Sequence, residues 1–309
     1  MKHTILGAGG VVGKALAEEI LNKKETLRLV SRSGKSREGA ETVKADLLSF
    51  EDVTISVEGS DIVYLLAGLQ YNSKIWAEQW PKIMQNTIDA CKAAGSKLIF
   101  FDNVYMYGKV DGKMTEETSY NPCSRKGEIR AKIANTLEEE MKLGNIQASI
   151  ARSADFYGPY ATFVSIPYVM ALDKMLKGKK PQWLVNADNL HSYTYSLDCG
   201  RALYLLANDA ETFGQVWHMP TYNPGINGKR FIEIAAKELG VKSDYSVLKK
   251  WMVKMAGYFS SVVGEMYEMT YQYELPYYFD STKFNNYFDY KPLNYEEGLK
   301  ETILFLKKQ

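Results

Sequence analysis

Neither sign of charge prevails in this chain: 38 Lys and Arg stand against 37 Asp and Glu over 309 residues, a formal net charge of +1. A near-neutral total gives no support for a nucleic-acid or anionic-membrane partner, although a local patch can hide inside it. Cysteine is scarce. Cys91, Cys123 and Cys199 are widely spaced, which excludes a disulfide framework and a zinc-binding spacing. His3, His191 and His218 are too scattered for a metal cluster, so no metal is expected. Long apolar runs are missing too. The stretch after His3 is broken by glycines, unlike a signal peptide. Residues 251–264 are interrupted by Lys254 and too short to span a bilayer. These absences lead to the expectation of a cytoplasmic protein in a reducing compartment with no membrane partner. Repeats, low-complexity segments and Gly/Ser- or Pro-rich linkers are also absent. What remains is an ordinary globular mix, 46% apolar and 24% charged, long enough for one or two domains.

The first half alternates. Apolar runs of strand length stand at 3–6, 27–30, 62–66, 98–101 and 148–151, with helical periodicity at 10–21, 76–94 and 124–143. The last of these carries Ile129, Ile133, Leu137 and Met141 at four-residue steps. Strand and helix in repetition predict a parallel sheet with helices on both faces. The second half is less regular. Helices are expected at 165–176, 198–207 and 229–239, a turn at 177–181, and a loop at 221–228. Residues 251–273 form a stripe rich in Met and aromatics, which reads as core packing or as the wall of an apolar pocket.

The strongest motif is Gly7-Ala8-Gly9-Gly10-Val11-Val12-Gly13, after a predicted strand and before a predicted helix. Glycines there permit a tight turn and close approach of a pyrophosphate. The helix start offers free N–H groups and a partial positive charge. The second strand ends in Ser31-Arg32-Ser33, with Lys35 nearby, where a carboxylate would normally accept a ribose 2′-OH. Cations and small donors suit a 2′-phosphate instead, so NADP(H) is the expected cofactor.

Gly7, Gly10 and Gly13 are spaced three apart, and this step resembles the short-chain dehydrogenase/reductase superfamily in its extended, epimerase/dehydratase-like branch. Later segments are similar to that branch in the same order. They are Asp46-Leu47, Ala67-Gly68-Leu69, residues 101–108 ending in Tyr107-Gly108, residues 152–159 through Tyr157-Gly158-Pro159, residues 191–198, and Glu296-Glu297-Gly298-Leu299. The resemblance implies an α/β fold, a Rossmann-type doubly wound parallel sheet with a smaller C-terminal α/β substrate domain. Residues 1–160 plus about 187–220 would bind the dinucleotide, and about 161–186 plus 221–309 the substrate. It further implies that Asp46 and Leu47 lie at the adenine, that Ala67, Gly68 and Leu69 lie under the cofactor, and that Tyr157 lies against it. A homodimer through 76–94 and 124–143 is compatible with the pattern.

The branch's catalytic set is a Tyr-x-x-x-Lys pair on the fifth helix and a serine or threonine after the fifth strand. Here Asn103 stands at the serine position, Lys126 at the tyrosine position and Arg130 at the lysine position. One reading is a rebuilt site. Arg130 takes the ribose, its charge and burial make the Lys126 amine a usable acid or base, or Tyr105, Tyr107 or Tyr157 donates the proton. Asn103 would then bond the substrate carbonyl. The other reading is lost chemistry, leaving an NADP(H)-binding regulatory or interaction protein.

For the substrate, the resemblance points to Asp155, His191 and Tyr193. Asp155 replaces an asparagine and His191 an arginine that in the branch serve nucleotide sugars. A carboxylate beside a diphosphate is repulsive by several kcal/mol in a shielded site. The expectation is therefore an oxidoreductase acting on a carbonyl or hydroxyl of an apolar small molecule, with a nucleotide-sugar epimerase or dehydratase as the alternative.

Overall fold

A computed structural model describes residues 1–162 and 164–308. Its centre is one sheet of seven parallel strands: β1 (Lys2–Leu6), β2 (Thr26–Ser31), β3 (Glu41–Lys44), β4 (Ile62–Leu65), β5 (Lys97–Asp102), β6 (Ala148–Arg152) and β7 (Val216–His218). The spatial order is β7–β6–β5–β4–β1–β2–β3. The order reverses beside β1, where β2 pairs on one side and β4 on the other. In open α/β sheets ligands bind outside the carboxyl ends of the strands at such a reversal.

Side chains alternate between the two faces, as the two-residue period of a strand requires. Leu6, Val63, Leu65, Leu98 and Phe100 enter one core. Ile5, Ile62, Tyr64 and Ile99 enter the other. The first core is covered by α2 (Phe50–Val57), α3 (Ser73–Ala94) and α4 (Arg125–Lys142). The second is covered by α1 (Val11–Asn22) and α6 (Ser196–Ala207). Fully burying one such Val, Leu, Ile or Phe contributes about 1.5–3 kcal/mol, so apolar strands sealed on both faces are the main cohesive element.

Local signals set the helix starts. Asn72 Oδ1 accepts from the backbone N–H groups of Lys74 and Ile75, so α3 begins three residues before the expected 76. Ser124 Oγ accepts from Gly127 N and caps α4. The buried line of α4 differs from the expected one. Lys126, Arg130, Ala134 and Leu137 are buried, while Ile129 and Met141 are only partly covered.

The second half departs more from the periodicity. The helix expected at 165–176 runs through residues 166–176, with a wide helical turn, Tyr168–Leu172, at its centre and α5 (Asp173–Leu176) as its last turn. After α7 (Gly228–Leu239), the aromatic stripe forms two short helices, α8 (Lys250–Gly257) and α9 (Ser261–Tyr267). Then come α10 (Thr282–Tyr287) and α11 (Tyr295–Leu306). Two-residue and three-residue strands stitch distant segments: 155–157 with 193–195, 182–184 with 246–248, 190–191 with 226–227, and 113–114 with 278–279. A third core of Tyr157, Trp183, Tyr193, Tyr195, Phe231 and Tyr295 lies among them.

Candidate functional site

At the end of β1 the chain turns through Gly7 at φ +90°. A Cβ there would lie 2.5 Å from Ala67 Cα. No L side chain fits both that backbone and that contact. A Cβ on Gly13 would lie 2.8 Å from the Ala8 carbonyl oxygen, so α1 packs directly on its own turn. Gly10 caps α1 without a side-chain bond, and no acidic residue stands in the first turn. Gly10, Val11 and Val12 therefore present an uncompensated helix N-terminus to the cleft they line.

Beyond β2, Ser31 Oγ accepts from Gly34 N and lies 3.3 Å from Ser33 Oγ. Arg32, Ser33 and Lys35 are exposed, and neither cation forms an ion pair among the described residues. Asp46 is exposed, with Oδ1 accepting from Leu48 N. Leu47 packs on the first core, its carbonyl held by Asn86.

The cleft has a volume of about 520 Å³. Ala67, Gly68 and Leu69 line it, with Asp102, Asn103, Tyr105, Arg130 and Asp155. Aromatic rings of Tyr71, Trp76, Trp80, Tyr273 and Tyr277 form much of its wall, and Met266 and Met269 come from beyond α8. The apolar wall expected from the stripe is thus supplied by its second part only.

Asp102 ends β5. Arg130 grips Asp102 Oδ1 through Nε at 2.6 Å and again through Nη2. The guanidinium also sits 4.5 Å from the Trp80 ring centroid and 5.1 Å from that of Phe100. This is a buried, stacked ion pair of the kind arginine makes well. Arg130 thus lines the cleft with its charge held by Asp102. Asn103 Oδ1 accepts from Tyr105 N, fixing the turn that puts Tyr105 into the cleft. Burial pushes the Tyr105 hydroxyl's pKa up.

Lys126 is fully buried, and its place differs from the expected one. Its Nζ donates to the Glu265 carbonyl at 3.0 Å, to Glu268 Oε1 at 2.6 Å and to Glu265 Oε2. Tyr71 offers its ring face at 4.5 Å. Two carboxylates, not the Arg130 cation, surround the amine. Lys126 accordingly joins α4 to the segment at α9, and the free acid–base amine expected from its position is not what the structure shows.

Tyr107 and Tyr157 lie away from the cleft. Arg152 Nη1 donates to Tyr107 Oη at 2.9 Å, and that hydroxyl lies 2.9 Å from His218 Nε2. His218 Nδ1 is 2.7 Å from the Asp280 carbonyl, which fixes the ring with Nε2 as acceptor. Burial lowers the His218 pKa to about 3 and raises that of Tyr107 to about 12. Tyr157 is buried in the third core against Tyr195 and Tyr295. Both belong to short segments whose facing the sequence leaves open.

Asp155 Oδ2 accepts from Tyr273 Oη at 3.1 Å and lies 3.0 Å from His191 Nε2. The His191 ring stacks on Tyr277 at 4.2 Å, on Tyr193 at 4.5 Å and on Tyr273 at 4.7 Å. His191 and Tyr193 therefore stand behind the cleft wall and hold Asp155 in it. Tyr71, Trp76, Trp80, Glu265 and Glu268 had no sequence signal, since nothing in their spacing links them to the glycine turn. Among the described residues no group of three or more His, Cys, Asp or Glu could hold a metal ion, and no helix is long and apolar enough to cross a membrane.

Comparison with known proteins gives three kinds of match. The model of the NAD dependent epimerase/dehydratase family matches residues 3–219. An uncharacterized UDP-glucose epimerase of Bacillus subtilis, YtcB, is 21% identical, covering 70% of this chain and 75% of that protein. The structure of DesIV, a dTDP-glucose 4,6-dehydratase from Streptomyces venezuelae with NAD and TYD bound, is similar at a TM-score of 0.82. It is 14% identical and covers 100% of this chain and 97% of that one. The UDP-glucuronic acid 4-epimerase from Bacillus cereus in complex with NAD is similar at a TM-score of 0.82, with 18% identity, covering 100% of this chain and 99% of that one. At these identities the two structures show a shared fold.

Proposed function

The chain belongs to the NAD dependent epimerase/dehydratase family, and from that premise we propose an enzyme that uses NADP(H) to act at a hydroxyl or carbonyl of a nucleotide sugar. One observation carries the reading. The glycine turn, the Asp102–Arg130 pair, Tyr105 and Asp155 all face a single cleft at the strand-order reversal. In this reading residues 1–160 plus about 187–220 form the dinucleotide part, and about 161–186 plus 221–309 the substrate part. When bound, the dinucleotide supplies the hydride acceptor or donor. Gly7 to Gly13 would hold its diphosphate, with Ala67, Gly68 and Leu69 among the residues lining its part of the cleft.

Two details refine the cofactor and substrate. The similar structures contain NAD. Arg32 and Lys35, exposed and free of ion pairs among the described residues, supply what a 2′-phosphate needs. Asp155, held by Tyr273 and His191 among aromatic rings, suits a sugar, whose hydroxyls donate and whose C–H faces stack. The comparisons favour this substrate over the apolar small molecule that the sequence alone points to. Repulsion by Asp155 opposes a diphosphate only if the two are adjacent. Tyr105 Oη, beside Asn103, is one of the cleft's hydroxyls and, kept protonated by burial, can donate a hydrogen bond or proton to the substrate oxygen.

The test is incubation with UDP-glucose, UDP-glucuronic acid and dTDP-glucose, with NADP or NAD added, and product detection by NMR. A new sugar signal supports the reading. NADPH oxidation with apolar ketones, and none with sugars, would instead favour the apolar substrate, which the Ile166, Leu184 and Met266 wall accommodates. Tight NADPH binding without turnover of either class would leave the non-catalytic binder.

A further inference from the structure

The α8–α9 hairpin carries the densest exposed apolar surface of the chain. Phe259 is 88% exposed, Tyr258 73% and Trp251 66%. Met252, Met255 and Val262 are exposed beside them, six large apolar side chains within twelve residues. Core packing does not account for the hairpin part of the stripe, because only Val253 of α8 is buried and no residue of α9.

Nor is the hairpin a flap awaiting closure. Its two helices meet at Gly257 and Gly264, where a Cβ on Gly257 would lie 3.1 Å from Gly264 Cα. Its inner side is already fixed. Glu265 accepts from Ser73 N and Ser73 Oγ at the start of α3, Glu268 accepts from Arg125 N at the start of α4, and both hold Lys126. Movement toward the cleft would leave the outer side bare.

Charge identifies the occupant. Lys249, Lys250 and Lys254 are exposed on the hairpin. Lys250 pairs with Glu274, whereas Lys249 and Lys254 form no ion pair among the described residues. Residues 249–264 contain no carboxylate. The near-neutral total charge conceals this patch. A short amphipathic element with Trp, Tyr and Phe at its tip and unopposed lysines at its flank matches the interface of an anionic bilayer. A stable dimer engages about 20–30 residues on each side, well beyond what the hairpin offers.

We propose that the outer face of the α8–α9 hairpin docks the protein on an anionic lipid surface. Trp251, Tyr258 and Phe259 enter the headgroup boundary, and Lys249 and Lys254 meet the lipid phosphates. Val262 is exposed and also lines the cleft, so docking sets the cleft beside the bilayer. This inference stands apart from the choice of substrate.

The experiment is co-sedimentation of the full chain with vesicles of phosphatidylcholine alone or mixed equally with phosphatidylglycerol. Binding is expected to the anionic vesicles only and to weaken as salt is raised. Trp251→Ala with Phe259→Ser, and separately Lys249→Glu with Lys254→Glu, should each weaken it about ten-fold or more. All four positions are exposed, so thermal unfolding should match the parent, and Phe259→Ser alone serves if a double variant fails to fold. Absence of binding to anionic vesicles, or binding indifferent to these substitutions, overturns the proposal. So does a dimer in light scattering that the same substitutions split, since the patch then belongs to a second copy.

Discussion

In the proposed reading Arg32 takes the place where a carboxylate would select the unphosphorylated ribose, and it is exposed and unpaired among the described residues. A charge-assisted bond to phosphate is worth about 1.5–3 kcal/mol. Arg32→Ala should therefore weaken NADPH at least about ten-fold and leave NADH unchanged, read by fluorescence titration of each nucleotide. Equal weakening of both would remove Arg32 from the cofactor site. A second prediction concerns Arg130, which neutralises Asp102. Arg130→Met leaves that buried carboxylate with the Asn103 N–H at 2.8 Å and, as its nearest cation, Arg152 at 3.7 Å. Breaking such a pair costs about 3–5 kcal/mol, and adding Asp102→Asn should restore much of the loss in denaturant unfolding. If the double variant is no more stable than the single one, the two side chains do not act as a pair.

At the scale of elements, the stretch from β1 to α1 was legible because pattern and chemistry coincide there. A buried strand, a glycine turn and a helix start follow one another without a gap, and the structure puts Gly7 where a Cβ cannot fit. The fate of α4 was not legible. Its apolar series has one face, but the chain buries Lys126 and Arg130 alongside it, because their partners are Asp102 at 28 positions' remove and Glu265 at 139. Helical periodicity carries no information about partners so far away. Tyr105 and Tyr107 illustrate the same limit within one short turn: the first enters the cleft and the second enters a buried network with Arg152 and His218. A direct consequence of the Lys126 contacts is that they hold α9 to α3 and α4. Lys126→Met should raise amide hydrogen exchange over residues 261–268 while exchange in β1, β4 and β5 stays at the parent level. Unchanged exchange in α9 would show that its own packing suffices.

For the whole molecule, a parallel sheet flanked by helices was readable in outline, while its outer strands at 41–44 and 216–218 and the strand order come from the structure. In the second half the helices at 196–207 and 228–239 followed the periodicity, but the short strand pairs were not readable, since they join segments that share no local pattern. The cleft was half readable. Its cofactor wall follows from the glycine motif, and its opposite wall depends on that long-range stitching. Global stability should carry the mark of His218, buried neutral with its pKa lowered to about 3 by desolvation. Burial lowers the pKa of His3 as well. The unfolded chain binds a proton near pH 6.5 that the folded chain refuses, so folding weakens as pH falls below that value. The His218 share reaches about 2 kcal/mol by pH 5. The fall in Tm between pH 7 and pH 5 should shrink in His218→Gln, and an identical fall in the variant would place the acid sensitivity elsewhere.

The pairing of 113–114 with 278–279, reinforced by Lys113 and Asp280 at 167 positions' separation, bears on how the protein is made. A ribosome releases the first of these strands long before its mate exists, and β7 arrives only after the sheet's other six strands. The nascent chain must therefore keep an unfinished sheet edge and an open cleft shielded until late in synthesis, when exposed strand edges invite wrong pairings. No single cut divides the finished protein into two self-sufficient pieces, and a gene shortened at its 3′ end would lose the cleft's far wall before it lost the dinucleotide turn.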